Sequence, residues 1–147
     1  MGKKEFEQLI SGLFLPVGFK KKGNYWIKTQ AIITKMIYLQ KSQFGNSFYI
    51  NYGYILNAIP LGDLRMHVFG GFGSIVPNEN ARIKELLNLE NNITDEVRIS
   101  ELNSFISALI IKRFEKVNSE VDILNELKMR AHLNDLPGVV KEYFHLD

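Results

Sequence analysis

Apolar residues in this chain change their period twice. Up to Val17 they recur at steps of three and four, with Phe6, Leu9, Ile10, Leu13, Phe14 and Val17 on one side of a helix. From Phe19 to about Leu56 they alternate, and the residue types become β-branched and aromatic, as half-buried strands require. After "IVPNEN" the helical period returns, most clearly in Leu102, Phe105, Ile106, Leu109, Ile110 and Phe114. A helix in front, a sheet in the middle and helices behind define an α+β fold, with an N-terminal amphipathic helix, an antiparallel meander and C-terminal helices packed on one face.

The punctuation refines this order. Pro16 disfavours helical geometry at Leu15 and Gly18 follows as a terminator, so the first helix is expected over Lys3 to Leu15. Gly23-Asn24 and Gly45-Asn46 each sit between strand-like runs, and Gly followed by a polar residue suits a type II′ two-residue hairpin turn. A further strand is expected near Arg65 to Phe69, ahead of "GGFGS". Helices are expected over Ala81 to Leu89 and Ser100 to Val117. Another should start at Ser119, which forms a capping-box pattern with Asp122, and a last helical turn or two should start near "DLPG". The 147 residues, with 46% hydrophobic and 23% charged, suit one domain over 1–147 with no linker or repeat.

Composition also removes function classes. Without cysteine there is no disulfide, thiolate nucleophile or cysteine-ligated metal. The apolar stretch of "MGKKEFEQLISGLFLP" is broken by Glu5, Glu7, Gln8 and Ser11, unlike a signal peptide, and Phe6 breaks the myristoylation pattern. No run of apolar residues is long enough to cross a membrane. A cytoplasmic protein without membrane attachment is expected. His67, His132 and His145 lack ligand spacing, "FGGFGS" matches no phosphate-binding loop, and no nucleophile elbow or paired carboxylates stand out. Neither catalytic residue, metal nor cofactor is nominated.

Two surfaces are. If Gly45 and Asn46 form the tip of the longer hairpin, Gln40 lies opposite Asn51, Ser42 opposite Tyr49 and Tyr38 opposite Gly53. The other pleat then carries Ile37, Leu39, Ile50, Tyr52 and Tyr54 as the core face. Tyr38, Gln40, Ser42, Tyr49 and Asn51 would form a polar-aromatic face able to hold a protein partner. Its bland counterpart is a structural amide pair within a hairpin. The second surface is "FKKKGNYWIK", where Lys20, Lys21 and Lys22 with Tyr25 and Trp26 mix cations and rings as a nucleic-acid site would. Against it stand a net charge of only +2 and the common use of lysines to shield an edge strand. A ligand pocket between sheet and long helix near Phe105 and Leu109 competes with an ordinary filled core.

Gly18, Phe19 and Lys20 after the first helix, then Gln40, Lys41 and Ser42, then Phe48, Asn51 and Gly53 carry a resemblance. Over its first half the chain resembles the bacterial family catalogued as domain of unknown function 4304. Later, "GGFGSIVP" keeps Gly73, Ile75 and Pro77 of that family's pattern but has Gly71 and Phe72 where a basic context belongs. The resemblance implies a small α+β cytosolic bacterial protein with no assigned reaction. A non-enzymatic protein-binding module, in the manner of an immunity protein, is the leading expectation, and a nucleic-acid-binding domain is the alternative.

Overall fold

The computed structural model describes residues 1–146. Helix α1 (Lys3–Phe14) ends in a 3-10 turn (Leu15–Val17), and Gly18 takes the left-handed conformation at φ 97° that stops it. Five strands follow: β1 (Lys20–Lys22), β2 (Tyr25–Thr29), β3 (Ile33–Lys41), β4 (Phe48–Leu56) and β5 (Val68–Gly71). They form an antiparallel meander in the order β1-β2-β3-β4-β5. Then come α2 (Pro77–Leu87), with Pro77 in its first turn, and α3 (Asp95–Ile106), a π-helical segment (Ser107–Ile111) and α4 (Lys112–Lys116) in unbroken succession. Helices α5 (Glu120–Lys128) and α6 (Gly138–Tyr143) complete the chain. The α+β class, the meander and the helix–sheet–helix order are as the sequence implied.

Alternation divides the sheet into two faces. The front carries Trp26, Ile37, Leu39, Ile50, Tyr52, Tyr54 and Val68, all buried, against Phe6, Ile10 and Phe14 of α1 and Phe114 of α4. Aromatic contacts knit the layers: Phe6 stacks on Phe48 with centroids 5.1 Å apart, and Phe114 meets Phe19, Tyr52 and Tyr54 at 5.6–5.9 Å. The π-helical segment has a visible cause in the sequence. Leu102, Ile106, Ile110 and Phe114 repeat every four residues, which is longer than the 3.6-residue turn of an α-helix. A wider turn takes up the excess and keeps all four against the sheet.

Several local expectations need correction. The β3–β4 hairpin is not closed by a two-residue Gly45-Asn46 turn; Ser42 N–H donates to Ser47 O at 2.8 Å, leaving the four-residue loop 43–46. The pairing therefore shifts by two: Tyr38 faces Asn51, Gln40 faces Tyr49 and Met36 faces Gly53. The reason is tertiary. Leu89 N–H donates to Asn46 O and Ser47 bridges to Asn88, so the segment after α2 holds the tip open. A shift of two preserves the faces, so the core residues named from the alternation remain core. At Gly23-Asn24 the two-residue turn does form, with Lys22 opposite Tyr25 and Gly23 at φ 61°.

Strand β5 starts later than expected and takes in Gly70 and Gly71. Helix α2 starts earlier, at Pro77, and α3 begins at Asp95, where Thr94 Oγ1 accepts from Val97 N–H. Ser119 caps α5 as expected, accepting from Asp122 N–H, while Asp122 accepts from Asn118 N–H.

Candidate functional site

The back face of the sheet holds the residues singled out for partner binding. One cross-strand row, Lys22–Tyr25–Tyr38–Asn51–Gly71, spans all five strands, and Gln40 and Tyr49 form the next pair outward. Gln40 and Asn51 are diagonal instead of opposite, yet Asn51 Nδ2 still donates to Gln40 Oε1 at 3.4 Å. Tyr49 is 56% exposed, and Phe69 on β5 adds a second exposed ring to the same face. Ser42 turns to the loop, where its hydroxyl accepts from Phe44 N–H. The segment between β4 and β5 returns over part of this face: Thr34 Oγ1 donates to Asn57 Oδ1, and the Arg65 guanidinium lies 3.8 Å from the Tyr38 ring centroid.

The second nominated surface divides between the faces. Lys20, Lys22 and Tyr25 lie on the back, but Lys21 and Trp26 lie on the front. Trp26 is fully buried and donates through Nε1 to Ser11 Oγ at 3.0 Å, so it is core and not a stacking platform. Lys21 sits 5.5 Å from the Trp26 ring and 3.8 Å from Glu7. Tyr25 and Trp26 are adjacent aromatics, so only the pairing decides which of them points inward.

On the helical side, the hydroxyl ends of Tyr52 and Tyr54 emerge from the core into a polar cluster that no sequence pattern marked. Arg113 of α4 donates to the Tyr52 hydroxyl, and the Tyr54 hydroxyl donates to Glu126 Oε2 of α5 at 3.1 Å. Burial raises the pKa of both phenols and so disfavours their ionisation, and for Tyr54 the neighbouring Glu126 charge adds to the effect. Burial likewise raises the Glu126 carboxyl above its ordinary 4.5, against the Tyr54 hydrogen bond and the charges of Arg113 and Arg130. Arg130, two residues beyond α5, donates to Phe69 O at 3.0 Å and reaches Asp135 at 3.9 Å. Of the helix residues considered for a pocket, Leu109 lines a groove here, whereas Phe105 is half-buried against the core.

Two further cations have structural work. Lys35 is 3% exposed, and its ammonium donates to Phe114 O at the end of α4 and to Asn118 Oδ1. Burial, followed by the neighbouring Lys28 charge, lowers its pKa. Lys28 donates to Val17 O at 3.0 Å beside Gly18. Both close the carbonyl ends of helical turns.

The Glu126 shift has a pH consequence. A carboxyl with a raised folded pKa holds more protons folded than unfolded between its two values, so stability falls as pH rises from 4.5 through that window. Glu126→Gln keeps an acceptor for Tyr54 and removes the titration. The variant is expected to be at least as stable as the wild type at neutral pH and to lose this slope when urea midpoints are followed from pH 4 upward. An unchanged slope would show that Glu126 ionises freely.

No group of three or more His, Asp or Glu is arranged to hold a metal ion among the described residues. Nor is any described helix long and apolar enough to cross a membrane. No curated protein and no solved structure matches the chain. A family model does, over residues 11–128, a span that includes all five strands and α2 to α5, and so the chain belongs to the family described as Domain of unknown function (DUF4304).

Proposed function

We propose that this protein is a non-enzymatic binding module of the bacterial cytoplasm whose back sheet face docks an acidic protein surface. The observation that carries the reading is the charge of that face. Its strand residues include Lys20 and Lys22 but no carboxylate, and Arg65 is held above Tyr38. Exposed Tyr49 and Phe69 supply the large, stiff side chains that dominate interface energies. An immunity-type pairing with an acidic toxin domain is one instance of such a contact. A cysteine-free chain and the family resemblance support the cytoplasmic setting.

A protein partner is favoured over nucleic acid for a geometric reason. Trp26 is in the core, Lys21 faces the other way and Arg65 occupies one side of the Tyr38 ring. Two lysines and one arginine remain, too few for a phosphate track with stacking platforms. The test is a tagged pull-down from a native bacterial extract, with and without nuclease, using wild type and the Tyr49→Ala/Phe69→Ala double variant. Expected is a stoichiometric protein that survives nuclease, is captured by wild type and is lost by the variant at unchanged thermal midpoint. Capture that the double variant retains would remove this face as the interface. Loss on nuclease treatment, with steep salt dependence, would assign the face to nucleic acid instead.

A further inference from the structure

Two hollows meet at Arg113 and Arg130 on the helical side of the molecule. One, of about 370 Å³, opens on Tyr52, Gly70 and Gly71 at the β5 edge; the other, of about 910 Å³, is a groove between the π-helical segment and α5. We propose that they form one binding site for a small organic anion, with an oxyanion head at Arg113, Arg130 and the Tyr52 hydroxyl and an apolar body lying in the groove.

Three independent features support this assignment. The first is charge. Lys112, Arg113, Lys116 and Arg130 line the groove against the carboxylates of Asp122 and Glu126. Those two are already engaged, Asp122 with Asn118 N–H and Glu126 with Tyr54. Asp135 lines the smaller hollow, 3.9 Å from Arg130, a long contact that a bound oxyanion would replace. Guanidinium forks match the paired oxygens of carboxylate and phosphate alike.

The second feature is space left by a glycine. Gly70 lies on the front face directly beside Tyr52, and a Cβ there would meet nothing within 4 Å. Its φ is not in the left-handed region, so neither backbone nor packing demands glycine. What the missing side chain does is leave the approach to Tyr52 and Arg113 open. The third feature is apolar exposure. Ile75 and Met129, essentially bare at 101% and 86%, both line the groove, where Leu109 and Val117 add apolar wall. Large exposed apolar side chains gathered at one concavity mark a binding surface. The π-helical segment forms part of this wall through Ala108 and Leu109, a kind of helix defect often found at functional sites.

The experiment uses the full chain and four probes in NMR or calorimetric titration: inorganic phosphate for the head alone, phenyl phosphate and benzoate for the two head chemistries with an apolar body, and benzyl alcohol for the body alone. Saturable binding is expected for phenyl phosphate or benzoate, tighter than for inorganic phosphate, with benzyl alcohol silent. The preferred head is read from the ratio of the first two. Arg113→Gln should weaken that binding about tenfold or more, the loss expected for a charge-assisted contact. Gly70→Val should fill the approach and abolish binding while leaving the thermal midpoint in place. The proposal is overturned by the absence of saturable binding in the millimolar range for all four probes, or by binding that both folded variants retain.

Discussion

Gly53→Ala is expected to cost about 3 kcal/mol or more, a large part of the stability of a domain this size. Gly53 lies in the middle of β4, between Met36 and Phe69 on the neighbouring strands. A Cβ at this position would stand 1.9 Å from Val68 O and 2.8 Å from Phe69 Cα, both backbone atoms of β5. No rotamer can relieve a backbone clash, so β5 must move. That strand carries Val68 into the core and Gly70 beside Tyr52. Gly70→Ala and Gly71→Ala, whose added carbons meet nothing within 4 Å, should stay within about 0.5 kcal/mol of wild type. Urea denaturation of the three variants makes the comparison. If Gly53→Ala moves the midpoint no further than Gly70→Ala, β5 does not pack as closely as described.

Gly53 also illustrates what the sequence could and could not reveal. A glycine inside an alternating β-branched run signals close backbone approach, and that inference is sound. Which backbone approaches is a tertiary fact, and β5 lies a few residues later than residue types imply because it takes in two glycines, which carry no strand signal. The β3–β4 tip fails for a related reason. Gly45-Asn46 has the right residues for a tight turn, but Asn46 and Ser47 are claimed by Leu89 and Asn88 from more than forty residues away. Parity survived the error, so the core face and the exposed face were both legible. At Tyr25 and Trp26 parity was not legible, because both residues are aromatic and both fit a buried position.

The helical-side cluster is a different case. Tyr52, Arg113, Glu126 and Arg130 come from three separate segments, and none belongs to a spaced motif. The one signal in the sequence is the four-residue repeat of Leu102, Ile106, Ile110 and Phe114, which drifts by about 40° per step around an undistorted α-helix. Reading that repeat as strain on the helix would have pointed to the π-helical segment and to the groove beside it.

Arg98 provides the second large effect. It is 1% exposed, and its guanidinium donates to three backbone carbonyls at the end of α2 and in the turn that follows: Leu86 O, Asn88 O at 3.3 Å and Asn91 O at 3.1 Å. Burial lowers its pKa, against the partly compensating charge of Asp95. A buried cation with no bonded carboxylate persists because the end of α2 offers it Leu86 O, while Asn88 O and Asn91 O, which already accept from the Asn91 and Ile93 amides, each take it on a second lone pair. Arg98→Ala would orphan Leu86 O, remove the second donor from Asn88 O and Asn91 O, and leave a cavity, so a loss of about 3–5 kcal/mol is expected. Arg98→Lys should recover only part of it, since one ammonium cannot reproduce a planar fork reaching three oxygens. The turn held by Arg98 is also the one whose Asn88 and Leu89 hold Ser47 and Asn46 at the hairpin tip. Both variants should therefore speed hydrogen exchange at the Leu89 amide more than at the Ile37 amide in the centre of the sheet. Equal acceleration at the two amides would mean that Arg98 supports global stability alone; a selective effect at Leu89 would identify it as the residue that couples the helical layer to the tip of the β3–β4 hairpin.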